Sequence, residues 1–233
     1  MDLGTLGKVL LGLGFIFTGV SSLGSTSLAG TGDRNKKRKA RAGRPGKLGA
    51  PQTRPYNVSA LRERVSHIQR LICKGGLDPV VHEKAKTILS RKCGSDWCTK
   101  EKDWTAEQKA LFNLVRANVR YVKDPLNADA FSAAGRVLAT GAGDCDDLSI
   151  VLGSLLQAVG HEVRLVVVQT KDKPSWSHIF IQAKSDSTGK WLTLDASVSK
   201  PAGWEPPGTS AVLRTGKPSG MIQRAQIFEV RCT

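Results

Sequence analysis

The sequence predicts an α+β fold: a helical front half packed on an antiparallel sheet, with one helix, opening at Cys145, laid against that sheet. Three observations carry this. Apolar residues recur at three- and four-residue spacing in four stretches between residues 59 and 160. From residue 162 the period falls to two, in runs rich in β-branched residues. The second and third of these runs are separated only by the polar turn SDSTGK.

The 233 residues fit one medium domain with extensions, or two small domains, and 40% hydrophobic content supports a buried core. The net charge of +15 is unevenly spread: residues 1–32 are neutral overall, while residues 33–54 hold nine Lys and Arg against Asp33 alone. More than half the excess therefore lies in one short segment. A basic chain of this kind need not have a nucleic-acid-binding globular part.

Residues 1–32 are apolar and Gly-rich, with no charge from Val9 to Gly32. Val9 to Val20 has the character of a signal-peptide core, and Ser27-Leu28-Ala29 would serve as its cleavage site, giving a secreted product. The run RNKKRKARAGR that follows resists translocation. An anchor or a membrane-active arm are the competing readings, although the apolar stretch is short against the roughly 20 residues of a span. Membrane contact through residues 1–32 is the expectation; an arm buried among other subunits is the alternative. Residues 33–56 form a basic linker that cannot bury enough apolar surface to fold. Arg34, Lys36, Lys37, Arg38, Lys39 and Arg41 are its candidate contacts to phosphate, in lipid or nucleic acid, with a solvated spacer as the alternative. No aromatics interleave, so base stacking is not expected.

Residues 57–102 read as a helical segment. Ser59 caps a helix with Leu61, Val65, Ile68 and Ile72 on one face, and Gly75-Gly76 ends it. Asp78-Pro79 starts a second helix, with Val81, Ala85, Ile88 and Leu89 inward and Gly94 as its end. His67 and His82 are expected to be surface or capping histidines. Thr105-x-x-Gln108 reads as a capping box for a third helix, burying Leu111, Leu114, Val115 and Val119. Tyr121 to Pro125 closes that segment. A loop and short helix follow, ending in TGAGD.

Leu148, Val151, Leu152, Leu155, Leu156 and Val159 form the apolar face of a fourth helix, stopped at Gly160. Cys145 lies in its first turn. Unpaired N–H groups and the helix dipole favour a thiolate there, and the same N–H groups can meet a substrate oxyanion. Asp144, Asp146 and Asp147 oppose thiolate formation if close, or cap the helix with side chains turned away. A buried, inert cysteine is the plain alternative.

EVRLVVVQ (162–169), SHIFIQA (177–183) and WLTLDAS (191–197) are three strands, the last two a hairpin. His178 starts one hairpin strand and Asp195 ends the other, so antiparallel pairing makes them neighbours. Asp195 would then orient an imidazole able to deprotonate Cys145. Trp176 and Trp191 either line a substrate groove or pack in the core. KPAGWEPPGTSAVLRTGKPSG reads as loop, and MIQRAQIFEVRC as a final strand returning to the sheet within residues 201–233.

Besides Cys145 there are Cys73, Cys93, Cys98 and Cys232, which form two disulfides in one of three pairings or remain reduced. The C-x4-C spacing of Cys93 and Cys98 is loose for zinc and no second pair follows. No metal and no cofactor is assigned.

GAGDCDDLSIVLGSLLQAVGHEVRLVVV resembles the nucleophile helix and first strand of the transglutaminase-like domain, a branch of the papain-like cysteine enzymes. WSHIFIQA resembles its histidine strand and WLTLDAS its aspartate strand, over about residues 103–200. The resemblance implies Cys145, His178 and Asp195 as a catalytic triad. Asp146 stands where animal transglutaminases have Trp, which favours a microbial, hydrolase-like branch. The phrasing YVKDP…DAFSAAGRVLATGAGDCDD is similar to transglutaminase-like proteins encoded among bacteriophage structural genes.

The expected function is therefore a cysteine-dependent amide or peptide hydrolase working through an acyl-enzyme, on a protein or peptidoglycan-peptide substrate. A virion or cell-envelope location follows from the resemblance and the apolar arm, with other virion subunits as partners. The alternatives are glutamine acyl transfer, a non-enzymatic virion protein on the same fold, and nucleic-acid binding through the linker.

Overall fold

A computed structural model of the chain describes residues 52–55, 61–124, 128–185 and 189–232. The apolar segment 1–32, the basic positions 34–41 and Ser59 lie outside the described residues. The architecture is α+β, with the Cys145 helix packed on an antiparallel sheet as predicted.

Strand β1 (Gln52–Pro55) precedes helix α1 (Leu61–Gly76), which buries Val65, Ile68 and Ile72 on one face. Helix α1 ends at the glycine pair, as expected, and the pair has a second role. Gly75 and Gly76 lie inside its last turn, buried against the central helix α5 (Cys145–Ala158). A Cβ on Gly75 would meet Ser154 Oγ at 2.2 Å, so the missing side chain is what lets the two helices close. His67 is likewise not a surface residue: it is buried, with its ring edge on Phe131, whereas His82 is exposed.

Asp78 Oδ1 accepts from the Val80 N–H at 2.8 Å and caps α2 (Pro79–Leu89), with Pro79 in its first turn. That helix ends before Gly94. Gly94, at φ 72°, instead lies between β2 (Lys92–Cys93) and β3 (Asp96–Trp97), a hairpin closed by a Cys93–Cys98 disulfide. Helix α3 (Trp104–Asn118) is capped by Asp103, which accepts from the Ala106 N–H at 2.9 Å. The Thr105–Gln108 box does not form, because Gln108 is buried and donates to the Lys184 carbonyl at 2.6 Å. A tertiary partner has outbid the local one.

Strand β4 (Arg120–Tyr121) runs parallel to β6 (Ala142–Gly143). Between them lie β5 (Ala128–Phe131), antiparallel to β1, and helix α4 (Ala134–Thr140). The main sheet consists of β7 (Val163–Thr170), β8 (His178–Lys184), β9 (Trp191–Leu194) and β10 (Ile222–Glu229), all antiparallel in the order β10-β7-β8-β9. Val163, Leu165, Val167, Ile179 and Ile181 alternate onto one face, in the same core as Leu148, Leu152 and Leu155 of α5. Val166, Val168 and Phe180 face the other way and pack with Val212 of α6 (Thr209–Thr215). Helix α6 stands in the stretch expected to be all loop. Its seven residues sit between Gly208 and Gly216, both at positive φ, and are too few to show a period. The final strand β10 returns to β7, and Cys232 just beyond it bonds to Cys73 of α1.

Candidate active site

Gly143 ends β6 and Asp144 turns the chain into α5. Asp144 Oδ1 accepts from the N–H groups of Asp146 at 3.0 Å and Asp147 at 3.2 Å. This fills two of the open donors of the first turn and leaves Cys145 as the first helical residue. A Cβ on Gly143 would lie 2.5 Å from the Asp147 Cβ, so this position has no room for a side chain. Asp147 turns away from the sulfur and accepts from the Ser132 N–H at 2.8 Å. Asp146 is paired with Arg64 of α1, whose guanidinium also lies over the Phe131 ring. Each of the three aspartates thus has a fixed structural partner.

The electrostatics favour a neutral thiol at rest. Burial, then the Asp146 and Asp144 carboxylates, push Cys145 well above the ordinary thiol range, against Arg64 and the Ile179 N–H. Burial and Asp146 push Asp144 up to about 7, and burial pushes Asp147 to about 7 against its bond from Ser132. The Tyr121 phenol beside this cluster is pushed up to about 12 by burial and by Cys145 and Asp144, and so stays a hydroxyl. With the other four cysteines in disulfides, Cys145 is the single free thiol of the chain, and it is half-buried.

Strand β8 approaches this thiol through a gap in its own ladder. Pairing with β9 stops at Ile181–Leu194. Alternate residues of an antiparallel strand bond to the same neighbour, so Ile179 points its N–H and C=O where β9 has already ended. Helix α5 fills the place. The Ser149 hydroxyl donates to the Ile179 carbonyl at 3.3 Å. The residue next to Ile179 is His178.

His178 and Asp195 meet, as their places at the start and the end of the two hairpin strands predict: Nε2 lies 2.7 Å from Asp195 Oδ2. Asp195 is 4% exposed, and its other oxygen accepts from the Ser197 N–H at 3.1 Å and the Ser197 hydroxyl at 2.7 Å. A carboxylate with these three donors can only accept from His178, which places the ring proton on Nε2 and leaves Nδ1 as the basic nitrogen. Such a pair can take up a proton and stabilise the resulting imidazolium. Ser197 and Ser149 went unnoticed in the sequence. The signal for Ser197 was its place in WLTLDAS, two residues past Asp195; for Ser149 it was a polar residue one turn beyond Cys145 on a buried helix.

The two tryptophans separate. Trp176, two residues before His178, packs against the main core, and the Arg224 guanidinium lies 5.0 Å from its ring. Trp191 starts β9, at the far end of that strand from Asp195 by about 13 Å of extended chain. It is stacked with Arg164 at 4.0 Å. Cys93 and Cys98 are bonded to each other, which engages the sulfurs that a zinc site would have used. Among the described residues no helix is long and apolar enough to cross a membrane.

Residues 91–196 match the transglutaminase-like superfamily. None of the curated proteins matches the chain in sequence. Similar solved structures include a candidate protease from Parabacteroides distasonis, at 11% identity and a TM-score of 0.46, covering 71% of this chain and 29% of that one. A candidate cysteine protease from Cytophaga hutchinsonii aligns at 16% identity and a TM-score of 0.38, over 70% of this chain and 51% of that one. LapG of Legionella pneumophila aligns at 19% identity and a TM-score of 0.39, over 59% and 75%. This chain thus spans under a third of the first of these proteins and about half of the second. The superfamily match covers under half of the chain, the part that holds the Cys145 helix and strands β7 to β9, and it is this part that is similar to the transglutaminase-like superfamily.

Proposed function

We propose that the chain is a cysteine-dependent amide hydrolase, with Cys145 as nucleophile, His178 as base and Asp195 as the group that orients His178. The observation that carries this reading is the His178–Asp195 bond, in which a buried, fully engaged carboxylate just past β9 holds the imidazole of β8, the strand bonded to the Cys145 helix. The proton of the neutral thiol passes to His178 Nδ1 as sulfur attacks the amide carbon. The tetrahedral intermediate collapses, the C–N bond breaks, and His178 returns the proton to the departing amine. Water then attacks the thioester through the same base, releasing a carboxylic acid and the thiol.

The substrate class is a protein or a peptidoglycan peptide. The two disulfides support an oxidising setting, at a virion or a cell envelope, with residues 1–32 as the membrane contact. The test is turnover of a peptide or muropeptide panel by wild type and Cys145→Ala, with and without a fluorescent primary amine. Cys145-dependent release of a new amine and acid supports hydrolysis. Incorporation of the added amine would make the chain an acyl transferase. A panel that is cleaved equally by both proteins, or by neither, speaks for a non-enzymatic role of the fold.

A further inference from the structure

We propose that Ser149 is a positioning residue that sets the Cys145–His178 geometry, by fastening the histidine strand to the nucleophile helix. The inference rests on the functional reading above and adds a residue to it. Its basis is the interrupted ladder. In a sheet the lateral position of a strand is fixed by hydrogen bonds to both neighbours. On its β9 side, β8 loses those bonds after Ile181, two residues before reaching Ile179 and three before His178. Beyond that point, among the described residues, its backbone is held on that side by the bond from the Ser149 hydroxyl to the Ile179 carbonyl. Ser149 lies four residues beyond Cys145, hence one turn along the same face of α5. One hydroxyl thus joins the helix bearing the thiol to the residue next to the imidazole.

The environment makes this bond matter. Ser149 is buried, and Ile179 is buried beside it. No water can replace the hydroxyl easily in such a place, and a bare Ile179 carbonyl would have to shift to find another donor. Any shift of that carbonyl moves the backbone of the residue next to His178. Ser154, one further turn and a residue along α5, has a different use. It donates to Ile150 within the helix at 2.7 Å and reaches the Ile72 carbonyl at 3.3 Å. It therefore serves as a matched buried control.

The experiment is alkylation of the full chain by iodoacetamide from pH 6 to pH 10, in wild type, Ser149→Ala, Ser149→Thr, Ser154→Ala and His178→Ala. Because Cys145 is the single free thiol, the rate reads that site. At pH 10 hydroxide can take the thiol proton in place of His178, whereas at pH 7 the neutral thiol needs His178. The expected result is that Ser149→Ala loses roughly fivefold to tenfold in rate at pH 7, the equivalent of one hydrogen bond. Its rate at pH 10 stays at the wild-type value, and Ser149→Thr, which keeps a hydroxyl, recovers the pH 7 rate. Ser154→Ala, a purely structural lesion, leaves the ratio of the two rates unchanged. A Ser149→Ala ratio equal to wild type, while His178→Ala lowers it, overturns the inference and leaves the functional reading standing. Equal ratios in wild type and His178→Ala overturn the functional reading itself. Should Ser149→Ala not fold, the Ser149→Thr ratio decides: the wild-type value supports the hydroxyl's role, and the His178→Ala value opposes it.

Discussion

Asp195 holds His178 through one oxygen and is itself held by Ser197 through the other. The imidazole is therefore oriented by a carboxylate that has no freedom to turn. Asp195→Asn keeps the size but offers an amide that can present N–H to the ring, reversing its tautomer. The His178-dependent part of Cys145 alkylation at pH 7 should fall roughly a hundredfold or more. Ser197→Ala leaves the carboxylate in place with one bond fewer and should cost roughly tenfold or less. Stopped-time alkylation of both variants checks the order; equal losses, or none, would contradict the orienting role of the carboxylate.

The aspartates around Cys145 make stability depend on pH in an unusual direction. Asp147, buried and held at a value of about 7, binds a proton in the folded chain that the unfolded chain has already released above its ordinary value of 3.8. Its contribution is fully present below about pH 4 and is lost as pH rises to about 7, since the folded state then binds more protons than the unfolded one. Asp144 acts in the same sense. Asp147→Asn keeps an oxygen for the Ser132 N–H and removes the titration. Urea midpoints from pH 4 to pH 8 should fall in wild type and fall less in the variant, by an amount on the order of a few kcal/mol. A steeper fall in the variant would contradict the assignment.

What could be read from the sequence was what depends on period and neighbours. Helix α5, strands β7 to β9 and the Asp78-Pro79 cap all followed from local spacing, and the hairpin alone put His178 beside Asp195. What could not be read depends on partners far along the chain. Asp146 finds Arg64 across 82 residues, and Gln108 finds the Lys184 carbonyl across 76. The second of these is why a plausible capping box gave way to Asp103. Ser149 looked like one more polar residue in a helix, because its role exists only where β9 stops short. Gly75-Gly76 reads as a helix stop and is one, and only the approach of α5 shows that it is also a contact surface.

The two disulfides should contribute very differently. Cys73–Cys232 closes a loop of 159 residues and Cys93–Cys98 one of 5. On chain entropy alone these are worth about 5 and about 2 kcal/mol respectively. The long bridge also fastens α1 to the end of β10, beside a bond from Gln69 to the Glu229 carbonyl at 2.6 Å. Paired removals, Cys73→Ser with Cys232→Ser against Cys93→Ser with Cys98→Ser, avoid stray thiols. Denaturant titration should show the first pair clearly less stable than the second. A reversed order would mean that the Cys73–Cys232 link is not formed in solution.

Gly75 provides the sharpest packing test. Its Cα faces α5, and an added methyl would lie 2.2 Å from Ser154 Oγ, 2.7 Å from Ser154 Cβ and 3.1 Å from Ala134 Cβ. The hydroxyl could rotate away, but the Ser154 Cβ is fixed to its helix, so the helices themselves must separate. In an unconstrained helix, replacing Gly by Ala gains about 1 kcal/mol of propensity. Here overpacking should outweigh that gain, for a net loss of about 1 to 2 kcal/mol. Gly75→Ala combined with Ser154→Gly removes both offending atoms and should restore most of the loss. Thermal melts of the single and double variants measure the coupling directly. If Gly75→Ala stabilises the chain on its own, the position has room for a side chain, and the close approach of α1 and α5 is wrong.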